Sequence, residues 1–429
     1  MRDILSDRAR IQRMLDFELA LARAQAAVGM VPALALDAIA QATRAEHFDT
    51  AALAQEAIAC GDIAAPLVRA LTAQVTKVDA SAAAYVHEGA SSPDLLDTGL
   101  VLDLKAAVDQ LIAELGSAID GFMKLTGRHR RTAAVSRPYL QHALPVPFGL
   151  KLASYASALG RSRERLRRLR REALVLQFGG AAGTLDVLGD HGPDIAERLA
   201  ALLDLPLPEA PWHSHRDRLA EVASAIAILA GTCGKIARDI SLLMQTEVAE
   251  VFELGASNAA EGSHRDGQMP KASAAAIAAA TIANNLMATI LSAQMHEHER
   301  GLGNWQAEWL SLPALAMVTS GGLAGVIAIA DGLELDTERM RVNVALTRGV
   351  NLSEAIAFAL ARKLGKEKAC RIVAEASRKA AISKRDLQDV LREDETVSGN
   401  LSPGELAKLF EPLAHQGAAQ VFIDRIAAP

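Results

Sequence analysis

Aromatic residues are scarce in this chain: three tryptophans, three tyrosines and nine phenylalanines among 429 residues, 3% in all. A core of this size must therefore be assembled from Ala, Leu, Ile and Val, a composition that favours close-packed helices over sheets. Cysteine is nearly absent too. Cys60, Cys233 and Cys370 lie far apart with no metal-type spacing, and are expected to be reduced and buried in a cytoplasmic protein. Positive charge is not in excess: the net charge of −6 removes any electrostatic reason to expect nucleic acid. The one basic run, Arg161–Arg171, is broken by Glu164, Leu166 and Leu169 and reads as a solvated helix face. The N-terminal stretch lacks the apolar region of a signal peptide. The apolar run Leu312–Ala330 contains Pro313 and the Gly321–Gly322 pair and has no basic flank. It is expected to be a helix buried in a large bundle, with no membrane partner. No convincing alternating strand pattern and no internal repeat of 20–50 residues occurs.

What the chain does have is helical periodicity. Two alanine-rich segments, His215–Glu253 and Ala272–His298, carry almost no Pro or Gly. The first would form a rod on the order of 55 Å long. The polar, glycine-punctuated stretch 255–270 between them suits a mobile active-site loop at one end of a bundle. Earlier, helical spacing runs through Ser6–Val28, and Ser92-Pro93-Asp94 provides an N-cap, a first-turn proline and an acid placed against the helix dipole. The helix so begun reaches about Leu125; another runs from about Gly149 to Phe178. Gly179–Thr184 has the glycines of a phosphate cradle without the following Lys-Ser/Thr or a preceding strand, so close helix packing is expected there. Beyond Gly332 come shorter helices with caps at Ser353, Ser383 and Ser402.

Four separated stretches carry a resemblance. Val86–Leu104 is similar to the His-x-Gly-Ala-Thr-Ser-x-Asp…Asp-Thr segment of the fumarase/aspartase superfamily, and Arg137–Ala153 to its Gly-Arg-Thr-(His or Trp)-Leu-Gln-x-Ala-x-Pro segment. Gln177–Thr184 with Trp212–Glu250, and Glu297–Trp305, resemble the 3-carboxy-cis,cis-muconate cycloisomerase branch of that superfamily. The resemblance spans essentially the whole chain. It implies an all-α, three-part subunit divided at about 1–92, 93–333 and 334–429, whose middle part joins a tetrameric twenty-helix bundle. It also implies active sites assembled from three subunits, no cofactor, and removal of a proton beside a carboxylate of a small polycarboxylate.

The same resemblance supplies candidate residues. Arg300 and Gln141 match family substrate-binding positions, and Ser91 and Ser92 stand where hydroxyls and backbone N–H groups would face an anion. Arg265 and Lys271 lie in the loop region, able to close on a carboxylate. Tyr139 occupies a position that the family gives to His or Trp, with His142 nearby; either is a candidate proton carrier. The loop departs from the family's Gly-Ser-Ser-x-Met-Pro-x-Lys-x-Asn-Pro. Aligned on Met269-Pro270, the catalytic serine falls at Asp266, and Ser263, His264 and Asp266 remain open as the base. His87 and His213 read as wall residues. His296 and His298 flank Glu297 without a further ligand of metal-type spacing.

A preserved scaffold with a rewritten loop leads to a cofactor-independent isomerase, and specifically to epimerisation of the iminodisuccinate type. The alternatives are lactonisation of 3-carboxy-cis,cis-muconate, β-elimination releasing fumarate, and a non-catalytic bundle protein.

Overall fold

The computed structural model describes residues 1–253 and 269–428. The loop candidates Ser263, His264, Arg265 and Asp266 lie outside them. Helix dominates. The order is α1 (Asp7–Ala27), α2 (Ala33–Ala42), α3 (Thr50–Cys60), α4 (Ala64–Val78), α5 (Ser92–Arg128), α6 (Phe148–Glu172), α7 (Gly192–Leu202), α8 (Asp217–Leu243), α9 (Lys271–Ala293), α10 (Asn304–Gly332), α11 (Thr337–Ala345), α12 (Ser353–Leu364) and α13 (Lys366–Ser383), followed by short helices to Ala427. Among the described residues, four three-residue strands, which the sequence pattern does not announce, form two antiparallel pairs. In one, β1 (Ala133–Val135) pairs with β2 (Pro145–Pro147), Ala134 opposite Val146; in the other, β3 (Val251–Glu253) pairs with β4 (Leu333–Leu335), Phe252 opposite Glu334. Pairs this short clamp loop ends and leave the all-α class intact.

By internal packing the chain falls into two compact units. One comprises Met1–Gly116, Arg161–Gly234 and Ala275–Ala324; the other Ser117–Gly160, Lys235–Ala274 and Gly325–Pro429. The first unit has an aliphatic core from Leu15 and Leu21 of α1, Leu95 and Leu104 of α5, and Ile226 and Leu229 of α8, all essentially inaccessible. The C-terminal part of the second is centred on Ile356, Leu360, Ala369 and Val373 across the α12–α13 hairpin.

Local chemistry explains the boundaries. Ser6 caps α1 by accepting from the Ala9 N–H. Ser402 and Glu405 form the reciprocal cap anticipated from their spacing. At α5 the cap is shifted by one residue: the Leu95 N–H donates to the Ser91 carbonyl, making Ser91 rather than Ser92 the capping residue. Ser383 ends α13 rather than capping the next helix. The helix expected over His215–Glu253 stops at Leu243, because Ala249 takes a left-handed φ of 51° and the Glu250 N–H turns back to the Leu243 carbonyl at 3.0 Å. The expected extension of α6 to Phe178 stops at Glu172; residues 173–180 run as a buried, non-helical segment. Of the cysteines only Cys233 is buried, its thiol pushed up to about 12 by desolvation; Cys60 and Cys370 are exposed, correcting the expectation for both.

Helices α8, α9 and α10 are each long and apolar enough to cross a membrane by length and composition. Their most apolar windows differ in cover: 67% of that window is buried in α8 and 61% in α10, but 28% in α9. Helix α9 buries a single stripe through Ser273, Ala276, Ala283, Met287 and Ile290, and exposes Thr281, Asn285 and Ala288 on its other side.

Candidate active site

In the first unit, polar groups converge on the start of α5. Asp94 is wholly buried, and its carboxylate accepts from the N–H groups of Gly179 and Gly180, each at 2.9 Å, from Ser91 N–H at 3.0 Å and from Gln177 Nε2 at 3.1 Å. Ser91 Oγ lies 3.0 Å from the same carboxylate and 2.9 Å from the Gly180 carbonyl. Burial still raises the Asp94 pKa above the ordinary value, against these hydrogen bonds. The glycine run is thus an anion cradle after all. Its anion is internal, and the glycines also allow close packing, of Pro211 on Gly179 and of His213 on Gly183, both from the segment before α8. Ser91, expected to offer its N–H and hydroxyl to a ligand, turns both toward Asp94 and the cradle.

The far side of the same loop meets two more candidates. Arg300 Nη2 donates to the Ala181 carbonyl at 2.9 Å. His213 packs on Gly183, whose φ of +85° and missing side chain are both needed: a Cβ there would stand 2.9 Å from His213 Cε1. Burial, and then the Arg300 charge, lower the His213 pKa, favouring the neutral imidazole.

Behind this wall lies an ionic group that sequence reasoning did not find. Arg216 is completely buried, pairs with both oxygens of Asp97 at 2.8 Å, and binds Glu308 at 2.5 Å. Trp305 Nε1 donates to Asp97 at 2.9 Å, and Arg216 lies over the Trp212 ring. His296 Nε2 is 3.8 Å from Glu308, with its pKa lowered by burial and then by Arg216. The group ties the start of α8 and the start of α10 to α5, fixing the segments that carry His213 and Arg300.

The second unit holds the other candidates. Between β1 and β2 the chain forms a hairpin tip in which Tyr139 and Leu140 both adopt left-handed φ, 52° and 65°. Such a conformation costs about 1–3 kcal/mol for each non-glycine residue and persists only where surrounding structure imposes it. Tyr139 is 98% exposed and Gln141 is exposed; His142 is half-buried, its pKa lowered by burial and then by Arg137. Arg137 anchors the tip by binding Glu250 through both terminal nitrogens, Nη1 at 2.9 Å. Glu250 is fully buried and also accepts from Asn343 Nδ2 at 2.8 Å. Glu253 then accepts from the Ala272 N–H at 2.9 Å, the Ser273 N–H at 3.0 Å and the Ser273 hydroxyl, capping α9. Lys271, the first residue of α9, is exposed.

The sequence-derived candidates therefore sort by unit. Ser91, Ser92 and Arg300 belong to the first, Tyr139, Gln141, His142 and Lys271 to the second. His213 and Arg300 are drawn to one loop; Ser91 is drawn to the same loop but faces inward.

Family comparison decides the lineage. A family model described as Lyase matches residues 1–301, and one described as Adenylosuccinate lyase C-terminus matches 349–426. The chain belongs to the fumarase/aspartase superfamily. Superfamily relatives cover it end to end. It is 55% identical over 427 residues to 3-carboxy-cis,cis-muconate cycloisomerase of Bradyrhizobium diazoefficiens, across 99% of this chain and 95% of the relative. The same-named protein of Pseudomonas aeruginosa is 47% identical over 429 residues, 100% of this chain and 94% of the relative. The crystal structure of 3-carboxy-cis,cis-muconate lactonizing enzyme from Pseudomonas putida superimposes with a TM-score of 0.94 at 45% identity, covering 99% of this chain and 95% of the other. The fold expected of a superfamily member is present, and these relatives are isomerases.

Proposed function

We propose that this protein is a cycloisomerase that lactonises 3-carboxy-cis,cis-muconate or a close polycarboxylate analogue. The observation that carries the reading is 55% identity, over 99% of the chain, to a relative bearing that name. This reverses the order of the two sequence-based expectations. Epimerisation of iminodisuccinate rested on the altered loop, and the relatives give it no support; the lactonising alternative takes its place.

In the reaction, one carboxylate oxygen of the substrate attacks a carbon of the conjugated diene and forms the C–O bond. The displaced π pair moves to the carbon beside a second carboxylate, which then accepts a proton. One proton is taken up as a carboxylate becomes the neutral lactone ester; counted as free acids, substrate and product are isomers. The step needs cations on the spectator carboxylates and a proton donor at the carbon. In this proposal Arg300 and Lys271 bind carboxylates, Gln141 orients the substrate, and Tyr139 or His142 moves the proton. Ser263, His264, Arg265 and Asp266 complete the loop, while Ser92 stays near the α5 N-terminus. Ser91 acts through Asp94 rather than on the substrate.

The assembly proposed is a homotetramer with shared sites and the three-part subunit divided near residues 92 and 333. Two features support it. Tyr139 is almost wholly exposed on a strained tip, as expected of a residue that serves a neighbouring copy. The uncovered side of α9 mixes small apolar residues with Thr281 and Asn285, which suits helix packing and penalises burial in lipid.

Following the ultraviolet absorbance of 3-carboxy-cis,cis-muconate tests the activity, with NMR in D2O to locate the deuterium in the lactone. Loss of absorbance with lactone formation is expected. Turnover of iminodisuccinate isomers with no action on the muconate overturns the reading.

A further inference from the structure

A polycarboxylate site needs cations that are not already spent on the protein's own acids. In the second unit, Arg137 gives both terminal nitrogens to Glu250, and Lys235 is paired directly with Asp239. Lys151 differs. It lies on the first turn of α6, immediately after β2 brings the chain back from the Tyr139 tip. Its side chain is 31% exposed, and its nearest carboxylate among the described residues, Asp239, is 3.9 Å from Nζ, beyond hydrogen-bond distance. That acid is already occupied by Tyr155, whose hydroxyl donates to it at 2.7 Å, and by Lys235.

We infer that Lys151 is a carboxylate-anchoring cation of the active site, held half-desolvated and with no hydrogen-bonded acid among the described residues, so that a substrate carboxylate can complete its coordination. This rests on the polycarboxylate reading above. The charges acting on it are Asp239 and Lys235 of α8, Arg137 of the hairpin tip and Glu250 before β3. The cations on that roster, Lys235 and Arg137, are neutralised by the two acids, so an incoming carboxylate meets Lys151 as the unspent charge. Burial, the largest influence, lowers its pKa below the ordinary lysine value, and Asp239 only partly offsets this. Tyr155 holds Asp239 from the next turn of the same helix. Its position fixes the spacing between Asp239 and Lys151 that keeps the ammonium from being captured.

The test is calorimetric titration of the full-length protein with propane-1,2,3-tricarboxylate, a non-reacting probe. K151Q is expected to weaken binding at least about tenfold, while K151R stays within about threefold of wild type. As pH rises from about 7 to about 10, wild-type affinity falls as Lys151 loses its proton, whereas K151R, which stays charged, holds its affinity. The pH profile moves only if the charge itself meets the ligand, and it still decides the matter should K151Q fold poorly. Binding by K151Q within about twofold of wild type, parallel pH profiles for wild type and K151R, or no binding by wild type overturns the inference. Muconate turnover is measured separately. Lost probe binding in K151Q together with absent turnover in wild type would sink the cycloisomerase reading and leave the Lys151 site standing.

Discussion

Glu250 receives both terminal nitrogens of Arg137, and the pair is closed by Asn343 at 2.8 Å from the same carboxylate. Arg137 begins the hairpin tip and Glu250 ends the turn after α8, so this contact sets where Tyr139, Gln141 and His142 stand. Glu250 is fully buried, so its removal strands the Arg137 guanidinium without its carboxylate.

E250A is therefore expected to destabilise the protein by about 3–5 kcal/mol, the usual cost of stripping one partner from a buried ion pair. E250Q, which keeps the shape and one acceptor, should cost less. If Tyr139 and Gln141 serve the reaction, even a folded E250Q loses about a hundredfold in kcat/KM through misplacement of the tip. Denaturant midpoints and steady-state kinetics check the two parts. An E250Q enzyme with wild-type kinetics would separate the tip from the chemistry.

Asp94 offers a second, independent case. Five hydrogen bonds, from the N–H groups of Gly179 and Gly180, the N–H and hydroxyl of Ser91 and the Gln177 amide, hold its carboxylate. D94N puts an amide NH2 against donors, and is expected to cost about 2 kcal/mol or more. Because the cradle also carries Arg300 through Ala181, KM for the polycarboxylate should rise in the same variant. A rise in KM without a fall in the unfolding midpoint would mean that the cradle is loose and that Asp94 acts only at the site.

What the sequence made legible follows from distance along the chain. Helices α1, α5, α9 and α10 were readable because their periodicity, caps and breakers are local. The superfamily was readable because four segments keep their order. Arg216 was not: its partners Asp97 and Glu308 lie 119 and 92 positions away, and nothing within a turn of each marks a pairing. Ser91 was misread for a related reason. The sequence places it at a helix start, where a hydroxyl faces outward, but the glycines that turn it inward with Asp94 come 85 residues later. The end of α8 was misplaced because helix propensity runs on through Glu253, while the tertiary demand for a buried Glu250 breaks it earlier.

The pairing of His87 with Glu18 predicts a pH dependence of stability. His87 Nδ1 lies 2.6 Å from Glu18 Oε1, with the histidine side chain 16% exposed. Burial alone would lower its pKa, but the Glu18 hydrogen bond and charge, with Asp94, outweigh that and raise it above 6.5. A raised histidine value means the folded state holds the proton more tightly. The stabilisation is complete below about pH 6.5 and disappears as pH climbs through the folded value, each unit of separation being worth about 1.4 kcal/mol. Urea unfolding of wild type and H87Q from pH 5.5 to 8.5 should show the difference between them shrinking as pH rises. A difference that grows with pH contradicts the pairing.

Helix α9 gives the last prediction. Its apolar sequence has 28% of the relevant window buried within one chain, and Ala288 lies on the uncovered side, along with Thr281 and Asn285. Small side chains at such positions let helix axes approach to about 8 Å. A288R places a long cation in that space while leaving the buried stripe through Ala283 and Met287 untouched, so the subunit itself should fold. If copies of the chain cover this face, light scattering after size exclusion will show wild type as a tetramer and A288R as a smaller species. Activity should fall with the assembly, because a site that draws the Tyr139 tip from another copy cannot form in an isolated subunit. Should A288R remain tetrameric and fully active, the uncovered face of α9 is not the interface, and the shared-site proposal loses the feature that most supports it.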